Sequence, residues 1–148
     1  PVLADRFYGF CRAMMEAGIP VTQNHILVDR DENGHYALSA SQLSHIPTAF
    51  ICSRDSSAYQ LLKILKEKNI RVPEDVSITG FDDYILSSLC TPKITTYSID
   101  VAKLTDSCIW LLLDRIAQPD RPLRHIVISG KIMERDSVRT LSTNPESR

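Results

Sequence analysis

The chain has 148 residues, of which 43% are hydrophobic, so it can form one globular domain with a buried core. Its 17 basic and 18 acidic residues nearly cancel, which argues against a surface built to bind nucleic acid or an anionic membrane. The N-terminus lacks the pattern of a signal peptide, and no apolar run approaches the ~20 residues of a membrane span. Because the first residue is Pro1 rather than methionine, we expect a fragment of a longer protein.

The cysteines and histidines predict neither a metal site nor a disulfide framework. No two cysteines have metal-ligand spacing, and each lies among apolar neighbours, which favours reduced, buried thiols in a cytoplasmic protein. These cysteines are Cys11, Cys52, Cys90 and Cys108. The histidines are scattered singly through loops and strand ends, so we interpret them as surface residues. No cofactor is predicted.

The first third of the chain predicts a helix, a strand and a weaker helix. Residues 5–17 carry apolar side chains at helical spacing, and Gly18 follows where a helix-ending glycine is common. The apolar segment 25–29 predicts a short strand, residues 30–36 a polar loop, and residues 37–45 a weaker helix.

The middle of the chain continues this alternation. Residues 47–52 form an apolar run with a leading proline, which is typical of a strand covered on both faces. A helix then begins at Asp55 or Ser56, buries one leucine-rich face, and ends at Asn69. The strand VSITGF follows at residues 76–81. Strands alternating with helices indicate right-handed crossovers and a parallel sheet covered by helices, an α/β fold.

The last third predicts elements that this short chain cannot fully cover. We expect a loop at residues 84–93, a strand at 95–100 and a helix at 101–117. That helix is apolar nearly all round, so its narrow polar face implies cover on two sides. Residues 125–137 predict one or two strands, and Leu141 onward a disordered polar tail.

Charged residues follow three of the predicted strands. The three segments are Asp29-Arg30-Asp31, Ser53-Arg54-Asp55 and Phe81-Asp82-Asp83. Ligands of open parallel sheets bind beyond the carboxyl ends of the strands, and those ends lie along one edge. The sequence therefore predicts a polar pocket at this edge.

Each charged residue also has a plainer interpretation. Asp55 is better explained as a helix cap than as a ligand contact, because an acid there can bond free amides. Asp83 is better explained as a loop or hinge residue, whereas Asp82, directly after Phe81, favours the pocket. Two interpretations of Arg54 are left: a surface arginine paired with Asp55 or Asp83, or a residue of the pocket. Arg6 opposes the dipole of the first helix, which hints at another role.

The side-chain chemistry at this edge favours binding over catalysis. A carboxylate accepts hydroxyl hydrogen bonds and an arginine fork donates a pair, so with an aromatic ring they suit a polyol or sugar. The motifs GxSxG and HExxH and a P-loop are absent. Asp82 and Asp83 could form an acid–base pair, but adjacent residues at a strand end usually point apart. We therefore predict that the protein is not an enzyme.

Four spaced motifs resemble the effector-binding core of the lactose/galactose-repressor family. They are DRFYGFCRAMMEAGI, PTAFICSRDSSAYQLLKILKEKNIRVPEDVSITGFDDY, TPKITT and KIMERDSV, and together they cover roughly residues 5–139. The most specific signal is VPEDVSITGFDD followed by P-x-[IL]-T-T. The resemblance implies a Rossmann-like, parallel-sheet lobe of a periplasmic-binding-protein-like (type I) fold.

The resemblance also implies a division of the chain. Residues 1–94 correspond to the second lobe, residues 95–140 to the segment that crosses to the first lobe and returns, and residues 141–148 to a tail. Most of the first lobe and the N-terminal helix-turn-helix are absent from this chain. The uncovered helix at 101–117 would then pack on missing sequence.

The family's ligand contacts map onto some of the residues already singled out. By this resemblance Arg6 grips ligand hydroxyls, Asp82 is the acidic ligand contact, and Asp55 is mainly a structural cap. Arg54 departs from the family pattern, which often has asparagine or a small residue there, so a phosphorylated effector enters consideration. The predicted effector contacts are Arg6, Asp31, Arg54, Phe81 and Asp82.

The favoured function is the sensor part of a cytoplasmic transcriptional regulator. It would bind a sugar or phosphorylated sugar and change the operator affinity of a helix-turn-helix outside this chain. The alternative is an extracytoplasmic sugar-binding protein for transport. The apolar loop 85–90 further predicts a homodimer, with Leu86, Leu89 and Cys90 at a two-fold interface, since the matching family loop lies there.

Overall fold

The computed structural model describes residues 2–140 and shows a mixed sheet with helices packed beside it. Two single 3-10 turns, Gln23–His25 and Ala40–Gln42, precede the first strand. The helices and strands are α1 (Val2–Glu16), β1 (Ala49–Ile51), α2 (Asp55–Glu67), β2 (Ser77–Phe81), α3 (Leu86–Leu89), β3 (Thr95–Ser98), α4 (Val101–Ala117) and β4 (Lys131–Met133).

The sheet has the order β1-β2-β3-β4, and its first three strands are parallel. Phe50 of β1 lies opposite Ile78 of β2, and Thr79 of β2 lies opposite Thr95 of β3. The last strand, β4, runs antiparallel to β3. This arrangement confirms the predicted parallel-sheet α/β fold. Because the parallel strands share one direction, the ends of β1 and β2 lie at the same edge.

The core lies between α2 and the sheet. The leucine-rich face of α2 is buried as predicted, with Leu61 and Leu65 packed on Val76 and Ile78 of the sheet region. The helix ends where Asn69 adopts a left-handed conformation, at φ 57°, which asparagine tolerates better than most residues. A small, well-buried core therefore fixes α2 against β2 and holds the start of α2 at the edge of the sheet.

Two predictions for the segment before β1 are wrong. Residues 25–29 form no strand, because the Asp29 carbonyl accepts a hydrogen bond from Ala37 N and the segment closes on its own loop. Residues 37–45 form only the turn at Ala40–Gln42 rather than a helix. Within that stretch Leu43 is buried in the core and Leu38 is partly buried against it, which is too little apolar surface to hold a longer helix in place.

Two further predictions need correction. The strand within residues 47–52 is present but is covered on one face only, since Phe50 packs on the core while Ile51 is 67% exposed. The predicted loop at 84–93 contains the short helix α3. The prediction of one or two strands in residues 125–137 is confirmed, since β4 lies there. The prediction of a disordered tail from Leu141 onward lies outside the described residues.

The long helices α1 and α4 leave apolar surface uncovered. The α4 boundaries match the prediction, and none of its residues is buried, including Trp110, Leu112 and Ile116. Most of α1 is exposed as well; the helix ends at Glu16, and the turn after it contains Gly18, whose φ of +71° suits glycine. Among residues 2–140 no helix is both long enough and apolar enough to cross a membrane.

Buried hydrogen bonds tie the last described segment back to the sheet. Ser137 is fully buried; its hydroxyl donates to the Ile78 carbonyl at 2.6 Å and accepts from Thr95 N at 2.8 Å. One serine thus satisfies backbone groups of two different strands. An alanine there would leave the buried Thr95 N–H without its acceptor.

We expect Ser137→Ala to lower the free energy of unfolding by about 2 kcal/mol, because an unsatisfied buried N–H costs roughly 1–3 kcal/mol. Urea unfolding followed by circular dichroism measures the change. Ser88→Ala is the matched control, since the Ser88 hydroxyl also donates to a backbone carbonyl, that of Ile85, but at an exposed position. Equal effects of the two substitutions would contradict the structural role assigned to Ser137.

Candidate functional site

An arginine of α1 pairs with a carboxylate at the end of β2. Arg6 Nη2 lies 2.7 Å from Asp82 Oδ1, and Arg6 Nη1 lies 3.5 Å from Asp82 Oδ2. The same guanidinium donates to the Ser53 carbonyl, just after β1, at 2.6 Å. The Arg6 side chain is 15% exposed and that of Asp82 is 38% exposed. The pair therefore joins α1 to both strand ends while its acidic partner stays open to solvent.

An aromatic platform supports this pair. The Arg6 guanidinium carbon lies 3.8 Å from the centre of the Phe81 ring, a cation–π contact. Phe81 in turn packs on Tyr97, with ring centres 4.9 Å apart, and the Tyr97 hydroxyl accepts from Gly130 N at 2.8 Å. Phe81 thus lies against Arg6 and fixes its orientation rather than lining open space.

The backbone turns sharply after β2 and separates two adjacent acids. Asp82 and Asp83 both have positive φ, 100° and 53°, a conformation that costs a non-glycine residue roughly 1–3 kcal/mol. Asp82 N still donates to the Tyr97 carbonyl at 2.9 Å, so the sheet pairing continues to this residue. The Asp82 side chain reaches Arg6, whereas the Asp83 side chain reaches Arg135. The two carboxylates have separate partners and do not form an acid–base pair.

Asp83 is held by an arginine that sequence reasoning missed. Arg135 Nη2 lies 2.5 Å from Asp83 Oδ1, and Arg135 Nη1 donates to Ser87 Oγ at 2.8 Å and to the Ile94 carbonyl at 2.9 Å. The Arg135 guanidinium lowers the pKa of the Asp83 carboxyl. This agrees with a loop-fixing role for Asp83. The only sequence signal for Arg135 was its place in KIMERDSV, where a basic residue follows a strand.

The prediction that Asp55 caps α2 is wrong in its detail. Its carboxylate makes no capping bond; Oδ1 accepts from Thr96 Oγ1 and Oδ2 accepts from Tyr84 N, each at 2.6 Å. The residue is only 1% exposed, and this burial raises the pKa of its carboxyl, although the two hydrogen bonds oppose the rise. Asp55 therefore links the start of α2 to β3 and to the loop after β2.

Gly80 is required by this buried carboxylate. A Cβ at residue 80 would lie 2.0 Å from Asp55 Oδ1 and 3.2 Å from Asp55 Cα. No side chain fits in that space, so the glycine of the GFDD sequence exists to let α2 approach β2. The sequence showed the glycine, but its purpose depends on a contact across 25 residues that pattern reasoning cannot supply.

An open depression of about 380 Å³ lies beside the Arg6–Asp82 pair. Its walls combine both charged residues of the pair with α1, the start of α2 and the loop after β2. The lining residues are Leu3, Arg6, Arg54, Asp55, Ser56, Asp82 and Tyr84. Ligand pockets commonly range from roughly 300 to 1,000 Å³, so the space suits a small molecule.

Three of the five predicted effector contacts line this depression, namely Arg6, Arg54 and Asp82. Asp31 does not reach it, because its carboxylate accepts hydrogen bonds from Asn33 N and His35 N and closes its own loop. Asp31 is therefore not among the residues that line the depression. Tyr84 was not predicted, although an aromatic residue directly after two strand-end acids is a usable signal.

The thiols and acids do not suggest metal chemistry or covalent chemistry. Across residues 2–140 no group of three or more His, Cys, Asp or Glu side chains could hold a metal ion. The four cysteines are free, but they are less buried than predicted, since Cys11, Cys52 and Cys90 are half-buried and Cys108 is exposed. Burial raises the pKa of Cys52 to about 12, so its thiol stays protonated and unreactive.

The chain matches a known family of domains and is similar to curated proteins and to solved structures. The family model described as a periplasmic binding protein-like domain matches residues 2–138. The chain is 33% identical over 141 residues to the HTH-type transcriptional repressor PurR of Vibrio atlanticus, covering 93% of this chain and 42% of that protein. It is 32% identical to the probable HTH-type transcriptional repressor ExuR of Bacillus subtilis, covering 94% and 43%. The chain thus spans less than half the length of these curated relatives.

A solved structure is similar over nearly the whole chain. It is the LacI family transcriptional regulator from Enterococcus faecium with bound ribose, with 28% identity and a TM-score of 0.79. The match covers 95% of this chain and 53% of that one. The family match over residues 2–138 includes the strand ends that border the depression.

We predict that Asp55→Asn changes how stability depends on pH. Since the pKa of Asp55 is raised by folding, the folded protein binds this proton more tightly than the unfolded chain. Wild-type stability should therefore fall, relative to the variant, as pH rises from about 3.9, the unfolded value, to the raised folded value. Urea unfolding of both proteins between pH 4 and pH 7.5 measures the difference between their free energies of unfolding at each pH.

Asp75→Asn is the control for this pH series. Asp75 pairs with Arg71 at the surface, and the pair lowers the pKa of the Asp75 carboxyl to about 2. The stability that this pair contributes is therefore lost only as pH falls through the ordinary carboxyl pKa towards that value. The gap between wild type and Asp75→Asn should stay constant above pH 5. If the difference in the free energy of unfolding is equally constant for Asp55→Asn, burial does not raise the pKa of Asp55.

Proposed function

This chain belongs to the periplasmic binding protein-like domain family, in the form found in lactose/galactose-repressor-type regulators, and we propose that it is the ligand-sensing part of such a regulator. It binds a small effector, a sugar or sugar derivative, and thereby changes operator affinity. The relatives named above are HTH-type repressors, so the DNA-binding part belongs to sequence outside this chain. On this proposal the protein is a cytoplasmic regulator rather than an enzyme.

The observation that carries the proposal is the Arg6–Asp82 pair beside an open depression. Asp82 Oδ2 is 3.5 Å from Arg6, so this oxygen keeps most of its capacity to accept ligand hydroxyl groups. The neighbouring guanidinium supplies donors in the same plane. Adjacent hydroxyls of a sugar fit this combination, and the bound ribose of the Enterococcus faecium regulator agrees with it.

The uncovered surfaces support a two-lobe organisation of the full-length protein. We propose that residues 1–94 form most of the second lobe and that residues 95–140 cross to the first lobe and return. The apolar face of α4 has no cover within residues 2–140, which is expected if its partners lie in the first lobe. An effector bound at Asp82 would then lie between the lobes and favour their closure.

The transport alternative has less support than the regulator. An extracytoplasmic sugar-binding protein would share the fold, but the curated relatives and the solved structure named above are transcriptional regulators. The four free cysteines also suit a reducing compartment. A helix-turn-helix in the full-length sequence would support the regulator, whereas a signal peptide would support transport.

We expect Asp82→Ala in the full-length protein to weaken effector binding by roughly 2 kcal/mol or more, because it removes a charged hydrogen-bond acceptor. Affinity for operator DNA without effector should stay unchanged. Isothermal titration calorimetry with ribose, other pentoses and hexoses measures the affinity for effector. Fluorescence anisotropy measures the affinity for operator DNA.

Asp75→Ala is a matched control, since it also breaks an Arg–Asp pair but at the surface, away from the depression. Urea unfolding of both variants separates a loss of binding from a loss of stability. If Asp82→Ala binds effector as tightly as wild type, the site is elsewhere and the proposal fails.

We also propose a two-fold dimer formed through α3 and its flanks. Ile85 and Leu89 are exposed, and Leu89 reaches 71% exposure, while Leu86 and Cys90 are half-buried. Cys90 packs against the core, so part of the predicted interface set turns inward. The two exposed residues are the ones able to contact a second copy, and they lie on one short segment as isologous contacts require.

Ile85→Asp with Leu89→Asp should convert the full-length dimer into a monomer, because each subunit would place charged groups against those of its copy. Light scattering at tens of micromolar protein gives the molar mass. Leu123→Asp, at a residue 89% exposed and far along the chain, controls for the added charge. A wild type that is already monomeric, or a double variant that stays dimeric, rules out this interface.

A further inference from the structure

We propose that Arg54 makes the effector site selective for an anionic ligand, a sugar that carries a carboxylate or a phosphate group. This inference rests on the function proposed above, because it concerns the same depression. It goes further by naming the chemical class of the effector and the residue that selects it. Asp82 holds the hydroxyl end of the ligand, and Arg54 holds its charged end.

The first step is that Arg6 cannot supply this selectivity. Its guanidinium is already engaged by the Asp82 carboxylate, by the Ser53 carbonyl and by the face of the Phe81 ring. The charges of Arg6 and Asp82 cancel within the pair. A ligand that meets only these two groups therefore meets no net positive charge.

The second step is that the acids near Arg54 have other partners. Asp55 is buried and accepts from Tyr84 N and Thr96. Asp83 is paired with Arg135 on the other side of the turn. Within the described part of the chain Arg54 forms no ion pair and no side-chain hydrogen bond, although it is half-buried in the wall of the depression. Its charge is thus available to the contents of the depression.

The third step is a hydroxyl donor beside Arg54. Ser56 also lines the depression, and its Oγ accepts a hydrogen bond from the Tyr36 hydroxyl. The Ser56 proton is therefore free to donate to a ligand. A guanidinium fork with an adjacent hydroxyl donor matches two oxygens of a carboxylate or a phosphate, but offers little to a neutral hydroxymethyl group.

The depression as a whole is therefore polarised. Asp82, whose Oδ2 accepts only a long hydrogen bond from Arg6, presents a site for hydroxyl hydrogens, and Arg54 with Ser56 presents a site for oxygens that bear negative charge. A neutral sugar can fill the first part only. An acidic sugar or a sugar phosphate fills both parts and neutralises the unpaired guanidinium.

The test is a calorimetric titration of the full-length protein with matched ligands. Glucose, glucuronate and glucose 6-phosphate form one series, and ribose with ribose 5-phosphate forms another. We expect at least one anionic member to bind about 10- to 100-fold more tightly than its neutral parent, as hydrogen bonds to charged groups allow. The carboxylate and phosphate arms show which anion the site prefers.

The variant Arg54→Asn should remove this preference. It should lower affinity for the anionic ligand at least about tenfold and change affinity for the neutral parent less than threefold. Arg54→Lys should keep part of the preference, because the charge remains while the fork is lost. Arg12→Asn, which changes an exposed arginine outside the depression, is the control.

The outcomes separate this inference from the proposed function. If neutral sugars bind as tightly as their acidic partners and Asp82→Ala abolishes binding, the sensor function stands and the anion selectivity is wrong. The inference is also overturned if Arg54→Asn lowers the affinity for the anionic and the neutral ligands by the same factor. If no member of either series binds, both the selectivity and the sugar-sensing function fail.

Discussion

The buried carboxylate of Asp55 is the interaction on which the functional edge depends. It is the first residue of α2, yet its two oxygens bond the Thr96 hydroxyl of β3 and the Tyr84 amide of the loop after β2. Burying an acid costs free energy unless its oxygens find donors, and here both oxygens do. A single side chain thus sets the position of a helix, a strand and a loop. The bare Cα of Gly80 is what permits this approach.

The turn after β2 follows from that constraint. With Tyr84 N held by Asp55, the chain has only two residues in which to leave the sheet, and both Asp82 and Asp83 adopt positive φ. The turn sends the first acid to Arg6 and the second to Arg135. Two adjacent carboxylates are therefore divided between an open site and a structural ion pair. The local strain is retained because partners on three elements fix it.

Sequence reasoning predicted the parts of this molecule that depend on local pattern. The spacing of apolar residues predicted the buried face of α2, the strand VSITGF and the bounds of α4. The direction of parallel strands predicted the edge at which the depression lies. It failed where one contact overrides a pattern. Residues 25–29 are apolar enough for a strand, but their backbone bonds go to their own loop. Asp55 has the residue type and position of a cap, but Thr96 and Tyr84 N compete for its oxygens. Arg135 was missed because its partner lies 52 residues away.

The Arg6–Asp82 pair attaches α1 to the edge of the sheet as well as bordering the depression, so a substitution of Arg6 would change both. Most of α1 is exposed, and the Arg6 side chain is the part that reaches the Ser53 carbonyl, the Phe81 ring and Asp82. Substituting Arg6 would release α1 from the sheet and also change the lining of the depression, so any loss of binding would have two explanations. Asp82 contributes one partner to that attachment, and Arg54 contributes none among residues 2–140. The proposed function of the depression is therefore better tested through Asp82 and Arg54, which line it without being the main attachment of a helix.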